Sequence, residues 1–154
     1  MSSEKYTEYK LSELLLIPPR NGIYKSKEHH GRGVKIVNMG ELFAYNRIAD
    51  QAMKRVEITE KESQNYLLKN GDLLFARRSL TAEGAGKCSI VHQIIELTTF
   101  ESSIIKITPN PELVDPYFLF YFFKSPIGIY QIGTILRQVA VAGITGTDSY
   151  YWTF

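Results

Sequence analysis

Hydrophobic residues come in short runs bounded by Gly, Pro, Asn and Asp, the pattern of brief strands and short helices rather than of long amphipathic elements. The central run is Leu73-Leu74-Phe75-Ala76, whose length and flanks predict a strand buried on both faces. Lys69-Asn70-Gly71-Asp72 precedes it, a reversal in which Asn and Gly supply the positive-φ positions. Arg77 and Arg78 stand at its exit. Ser79 to Lys87 then predicts a flexible loop carrying Thr81, Gly84 and Gly86, and Cys88-Ser89-Ile90-Val91 the return strand. The expectation is a rigid hairpin with a basic tip.

The same reading gives the remaining elements. Tyr9-Lys10-Leu11 is extended, Ser12 caps a brief helix from Glu13 to Leu16, and Pro18-Pro19 ends it. Arg20 to Gly33 is rich in Gly and charge and is expected to be a second exposed basic loop. Val34 to Met39 predicts a strand, Gly40 to Phe43 a single helical turn with its apolar side chains inward, and Tyr45-Asn46-Arg47 an exposed stretch. Lys54 to Ile58 predicts a strand, and Thr59 with Glu62 a capping box opening a helix to Tyr66. Ile94 to Leu97 and Ser103 to Ile107 read as strands broken off by Asn110-Pro111. Asp115-Pro116 and Ser125-Pro126 each pair a cap with a proline at the first helical position. The first of these helices, Tyr117 to Lys124, is apolar nearly all round and is expected to be deeply buried; the second turns Ile127, Ile129, Tyr130, Ile132 and Ile135-Leu136 inward, with Arg137-Gln138 exposed and a loop at Gly143 to Thr147.

Charge changes the picture only through its distribution. Lys and Arg total 18 against 16 Asp and Glu, a net charge of +2 that announces no partner. Yet Arg20, Lys25, Lys27, Arg32, Lys35 and Arg47 are clustered against only Glu28 and Glu41, with His29 and His30 beside them. Such a segment can form a basic face. Cys88 is the single cysteine, which excludes an internal disulfide or a multi-cysteine zinc site and fits a reducing compartment. The polar start and the lack of a long apolar run predict a cytoplasmic protein with no membrane association.

Catalytic constellations are absent from the sequence pattern. His29-His30 lacks ligand-spaced partners and reads as surface; Gly84-Ala85-Gly86-Lys87 fails the phosphate-loop spacing, with Ala82 and Cys88 at the wrong places. Ser79, Ser89 and Ser149 have no nucleophile-elbow setting, and Cys88 with His92 reads as strand packing. Neither a catalytic residue nor a metal or cofactor of its own is expected. The positive signal is a set of basic loops on a compact scaffold, in which arginines suit base edges and lysines suit phosphates. The DNA-facing candidates are Arg77, Arg78, Ser79, Thr81, Lys87, Arg20, Lys25, Lys27, His30, Arg32 and Arg47.

The order of the elements carries a resemblance. Lys10 to Leu14, Val34-Lys35-Ile36-Val37 with Gly40-Glu41-Leu42, and Leu68 to Arg77 are followed by Gly86-Lys87 leading into Ser89-Ile90-Val91, and by Phe100-Glu101-Ser102-Ser103. Asp115-Pro116-Tyr117-Phe118-Leu119, Tyr121-Phe122-Phe123-Lys124-Ser125 and Gly143-Ile144-Thr145-Gly146 complete the series. This succession resembles the target recognition domain of type I restriction-modification specificity (S) subunits, over about residues 10 to 147. The resemblance implies an α+β single domain, residues 1–154, with an irregular twisted β-sheet and several short helices. It implies a non-catalytic module that reads double-stranded DNA at a split site together with a second recognition domain or half-subunit. It also implies a methylation (M) subunit using S-adenosylmethionine and a restriction (R) subunit using ATP and magnesium as partners. Where that family continues into a proline-containing strand and a long spacer helix, this sequence has Asp148-Ser149-Tyr150-Tyr151-Trp152-Thr153-Phe154, so the spacer helix is expected to be absent. The competing reading is a protein-interaction or adaptor domain that kept the fold and lost DNA binding; a nuclease or methyltransferase in its own right is a third.

Overall fold

A computed structural model describes residues 7–77, 87–142 and 151–153. In chain order the strands are β1 (Glu8–Lys10), β2 (Leu15–Asn21), β3 (His30–Val37), β4 (Arg47–Ile48), β5 (Arg55–Val56), β6 (Leu73–Ala76), β7 (Cys88–Val91), β8 (Thr98–Phe100), β9 (Ile104–Pro109) and β10 (Tyr151–Thr153). The helices are α1 (Met39–Ala44), α2 (Glu60–Tyr66), α3 (Pro116–Phe122) and α4 (Pro126–Ala142), with short 3-10 turns at Leu11–Leu14 and Lys27–His29. The class is α+β.

The centre is a five-stranded mixed sheet in the order β2-β9-β6-β7-β4. β6 lies in its middle, and its side chains divide by the two-residue period of a strand. Leu73 and Phe75 join a core with Cys88, Ile90, Ile105, Ile107 and the helical residues Leu119, Phe120, Phe123 and Ile132. Leu74 and Ala76 join a second core on the other face with Val37, Leu42, Ile48, Val91 and Phe100. A three-stranded sheet, β5-β3-β8, and α1 cover that second face, with Ile23, Ile36 and Val56 forming a smaller cluster. The sequence expectation of a strand buried on both faces therefore holds at every residue of β6.

The caps act as their chemistry dictates. Thr59 Oγ1 accepts from the Glu62 amide at 3.1 Å while Glu62 Oε1 accepts from the Thr59 amide at 2.9 Å. Asp115 Oδ1 accepts from the Tyr117 amide at 2.9 Å, and Ser125 Oγ from the Gly128 amide at 3.1 Å, each ahead of a proline-led helix.

Several expectations are corrected. The helix placed at Glu13 to Leu16 is a 3-10 turn over Leu11–Leu14, and Pro18-Pro19 lies inside β2 instead of ending a helix. β2 is an edge strand with register shifts, where a residue lacking an amide proton is tolerated. The Arg20 to Gly33 stretch is not one exposed loop: Arg20 and Asn21 close β2, Ile23 is buried, and β3 begins at His30. Gly22 is packed so closely that a Cβ there would meet the Glu101 carbonyl oxygen at 1.9 Å. The strand expected at Ile94 to Leu97 is Thr98–Phe100, and Ile95 and Leu97 are exposed. Pairing with β3 selects the threonines, whose buried hydroxyls find backbone carbonyls at Glu96 and Tyr66.

At the Asn70-Gly71 turn only Gly71 takes positive φ, at 92°; Asn70 contributes its side-chain oxygen to the Ile94 amide instead. The helix Pro116–Phe122 is buried on one side only, because Phe118 and Tyr121 face out. Ile127, Tyr130 and Phe43 are likewise exposed, while Ile129 is partly covered and Ile132 fully so. The side chains of Ile135, Leu136, Arg137 and Gln138 and the whole of Gly143 to Thr147 lie outside the described residues. No described helix is long and apolar enough to cross a membrane.

Candidate nucleic-acid interface

Strand directions decide which loops meet. β2 and β6 run the same way, each antiparallel to the β9 strand between them, and β7 and β4 both run the opposite way. The chain therefore leaves β6 at Arg77, leaves β2 at Gly22, enters β7 from Lys87 and enters β4 at Arg47, all at one end of the sheet. This is the hairpin end the sequence marked as basic, and its base is stiff: Phe75 pairs with Cys88 and packs edge-on against Phe123 at 5.3 Å between centroids.

Arg77 is half-buried at the strand exit. Its amide donates to the Ser103 carbonyl at 2.7 Å, and its buried Nε has no hydrogen-bond partner among the described residues. Arg78, Ser79 and Thr81 lie outside the described residues.

Beside it, two ammonium groups converge on one amide oxygen. Lys87 Nζ donates to Asn46 Oδ1 at 3.0 Å and Lys124 Nζ to the same atom at 3.2 Å, which holds the ammoniums no more than about 6 Å apart, close enough to repel each other. Asn46 is anchored by its carbonyl, which accepts from the Ile90 amide at 2.9 Å next to the β4–β7 pairing. Lys124 follows the end of α3 and lies 4.6 Å from the centre of the buried Phe120 ring. Burial, with the Lys124 charge nearby, pushes the Lys87 amine below its ordinary value. Among the described residues neither lysine forms an ion pair with a carboxylate. Arg47 is exposed next to Asn46, its guanidinium 5.9 Å from the Tyr117 ring centre, and the Tyr117 hydroxyl is hydrogen-bonded to His92 Nδ1.

The other candidates are arranged differently. Lys25 pairs with Glu62 at 2.8 Å and its side chain is only 13% exposed; Arg32 pairs with Glu57 at 2.7 Å. His30 Nε2 is bonded to the Lys25 carbonyl at 3.0 Å. Arg20 sits opposite Lys106 in the β2–β9 ladder, with its guanidinium 5.5 Å from the Tyr66 ring centre. Lys27 is exposed on its 3-10 turn. The structure thus brings Arg77, Lys87 and Arg47 to one sheet end and spends Lys25 and Arg32 on carboxylates of α2 and its approach. Asn46 as an anchor and Lys124 as a member were missed by sequence reasoning. Lys124 closes an apolar helix, where a terminal cation is ordinary dipole compensation, and no local spacing links it to Lys87.

Burial pushes the Cys88 thiol far up, and His92 is engaged with Tyr117. Among the described residues no group of three or more His, Cys, Asp or Glu could hold a metal.

A family model described as a type I restriction modification DNA specificity domain matches residues 3–140. The chain belongs to this family. Its fold is that of the HsdS subunit from Thermoanaerobacter tengcongensis, with a TM-score of 0.59 at 10% identity, over 90% of this chain and 38% of that one. A structure describing complex assembly and conformational transition of the type I R-M system gives a TM-score of 0.59 at 11% identity, over 90% and 39%. The chain thus spans under two fifths of the length of the chains it matches. No curated protein is detectably similar in sequence. The resemblance read from the order of motifs is shown by the family match, and the chain is a DNA specificity module of the type I restriction-modification class.

Proposed function

We propose that this specificity domain binds double-stranded DNA through the sheet end bearing Arg77, Lys87 and Arg47, and reads bases with the loop between Arg77 and Lys87. The observation that carries the reading is the meeting of three cationic chain segments, at Arg77, Lys87 and Arg47, at one end of a rigid sheet. Arginine forks suit guanine O6 and N7, and lysines suit phosphates, so one end supplies both readout and anchoring. The backbone leaving β2 at Gly22 flanks this end, Lys27 is a further exposed cation on its 3-10 turn, and Arg20, Lys25, His30 and Arg32 contribute less because they are already engaged. The module itself recognises without catalysis, in the cytoplasm. It directs a methylation subunit and a restriction subunit to one half of a split site, with a second recognition domain reading the other half. As a proposal for the whole sequence, residues 1–154 form a single recognition domain. The test is selection from a random duplex library with the full chain and a methylation subunit: enrichment of one short motif is expected, and recovery of unbiased sequence would overturn the reading.

A further inference from the structure

We propose that Asn46, Lys87 and Lys124 form a preassembled clamp for one phosphate of a DNA strand. The inference rests on the DNA-binding reading above and deepens it by naming where the backbone is held. Its first support is the choice of anchor. An amide oxygen can orient two ammoniums but carries no full charge to neutralise them, so among the described residues the pair keeps its net positive charge. A carboxylate at the same position would satisfy both lysines internally, as Glu62 does for Lys25 and Glu57 for Arg32.

The second support is preorganisation. Each group comes from beside a different element: Asn46 just before β4, Lys87 just before β7 and Lys124 just after α3. The Asn46 backbone is held through the Ile90 amide, and the Lys124 ammonium lies over the buried Phe120 ring. Two like charges are thus brought together before any ligand arrives. The fall in basicity that burial and Lys124 impose on Lys87 is relieved when an anion enters. A phosphate oxygen is the matching acceptor, and the contact carries no sequence information. The clamp would set the register of the duplex while the neighbouring Arg77 loop reads it.

Asn46→Asp tests this without removing a packed group. In the full chain the new carboxylate pairs with both lysines, so thermal stability is retained or rises, whereas binding to a random-sequence duplex falls on the order of tenfold and the salt slope by at least about one. Lys124→Gln lowers the slope by about one, and Lys61→Ala, an equal charge change on exposed α2, leaves it unaltered. Inorganic phosphate at matched ionic strength competes no better than chloride if the ligand is a duplex backbone; stronger competition assigns the site to free phosphate and overturns the proposal. Wild-type slope and affinity in Asn46→Asp and Lys124→Gln, or an equal loss in Lys61→Ala, overturn the clamp while leaving DNA binding standing. A wild-type chain that binds no duplex even at low salt overturns both.

Discussion

Two regions of this domain look equally basic along the chain and differ once folded. The segment from Arg20 to Arg32 meets carboxylates from elsewhere: Lys25 finds Glu62, Arg32 finds Glu57, and just beyond, the buried Lys35 lies 3.9 Å from Asp50 and 3.7 Å from Glu96. The sheet end at Arg77 and Lys87 meets another lysine and an amide among the described residues. A run of cations is therefore a surface potential only after the fold has assigned its counter-charges. Charges that hold α2 and β3 together are withdrawn from any partner, and those without a carboxylate among the described residues are the ones the proposed function assigns to DNA phosphates.

The comparison breaks most completely if the hairpin loses its base. Phe75→Ala removes a fully buried ring from the core shared with Phe123 and should cost about 3–5 kcal/mol, measured as a lower urea midpoint. Next in size is Arg77→Ala, which should weaken binding to the selected cognate duplex by roughly 1–3 kcal/mol and relax specificity at one base position. Unchanged discrimination against single mismatches would remove Arg77 from the reading surface.

The contrast is sharpened from the other side by Glu57→Gln and Glu62→Gln. Each frees a cation in the closed region, so the salt slope for random duplex should rise by up to about one, the reverse of the Asn46→Asp effect. A flat response in a salt titration would show that Arg32 and Lys25 face away from DNA.

The smallest effect concerns pH. The Lys25 ammonium, then the Thr59 amide, hold the Glu62 carboxyl below its ordinary value of 4.5. Its contribution to stability is thus complete above pH 4.5 and is lost as pH falls through the lower folded-state value. The difference in urea midpoint between wild type and Glu62→Gln should narrow over that acid range, and modestly, because the carboxylate is a quarter exposed.

Much of the fold was legible locally. The Gly71 reversal, the doubly buried β6, the capping box at Thr59 and Glu62 and the two cap-proline helix starts are short-range features whose physics lies within a few residues. The order of such features was enough to indicate the family. Errors fell where partners are distant: the threonine strand β8 owes its place to pairing with β3, and the prolines of β2 are tolerated because that strand lies at an edge.

The sequence by itself determined the Gly71 reversal, the helix caps and the β6–β7 pairing, because these depend on backbone preference and adjacent side chains. Only the tertiary structure decided which cations are paired. Lys25 and Glu62 are 37 positions apart, and Asn46 and Lys124 are 78 apart. Ion pairing and charge convergence depend on through-space distance, and no local pattern in the chain encodes it.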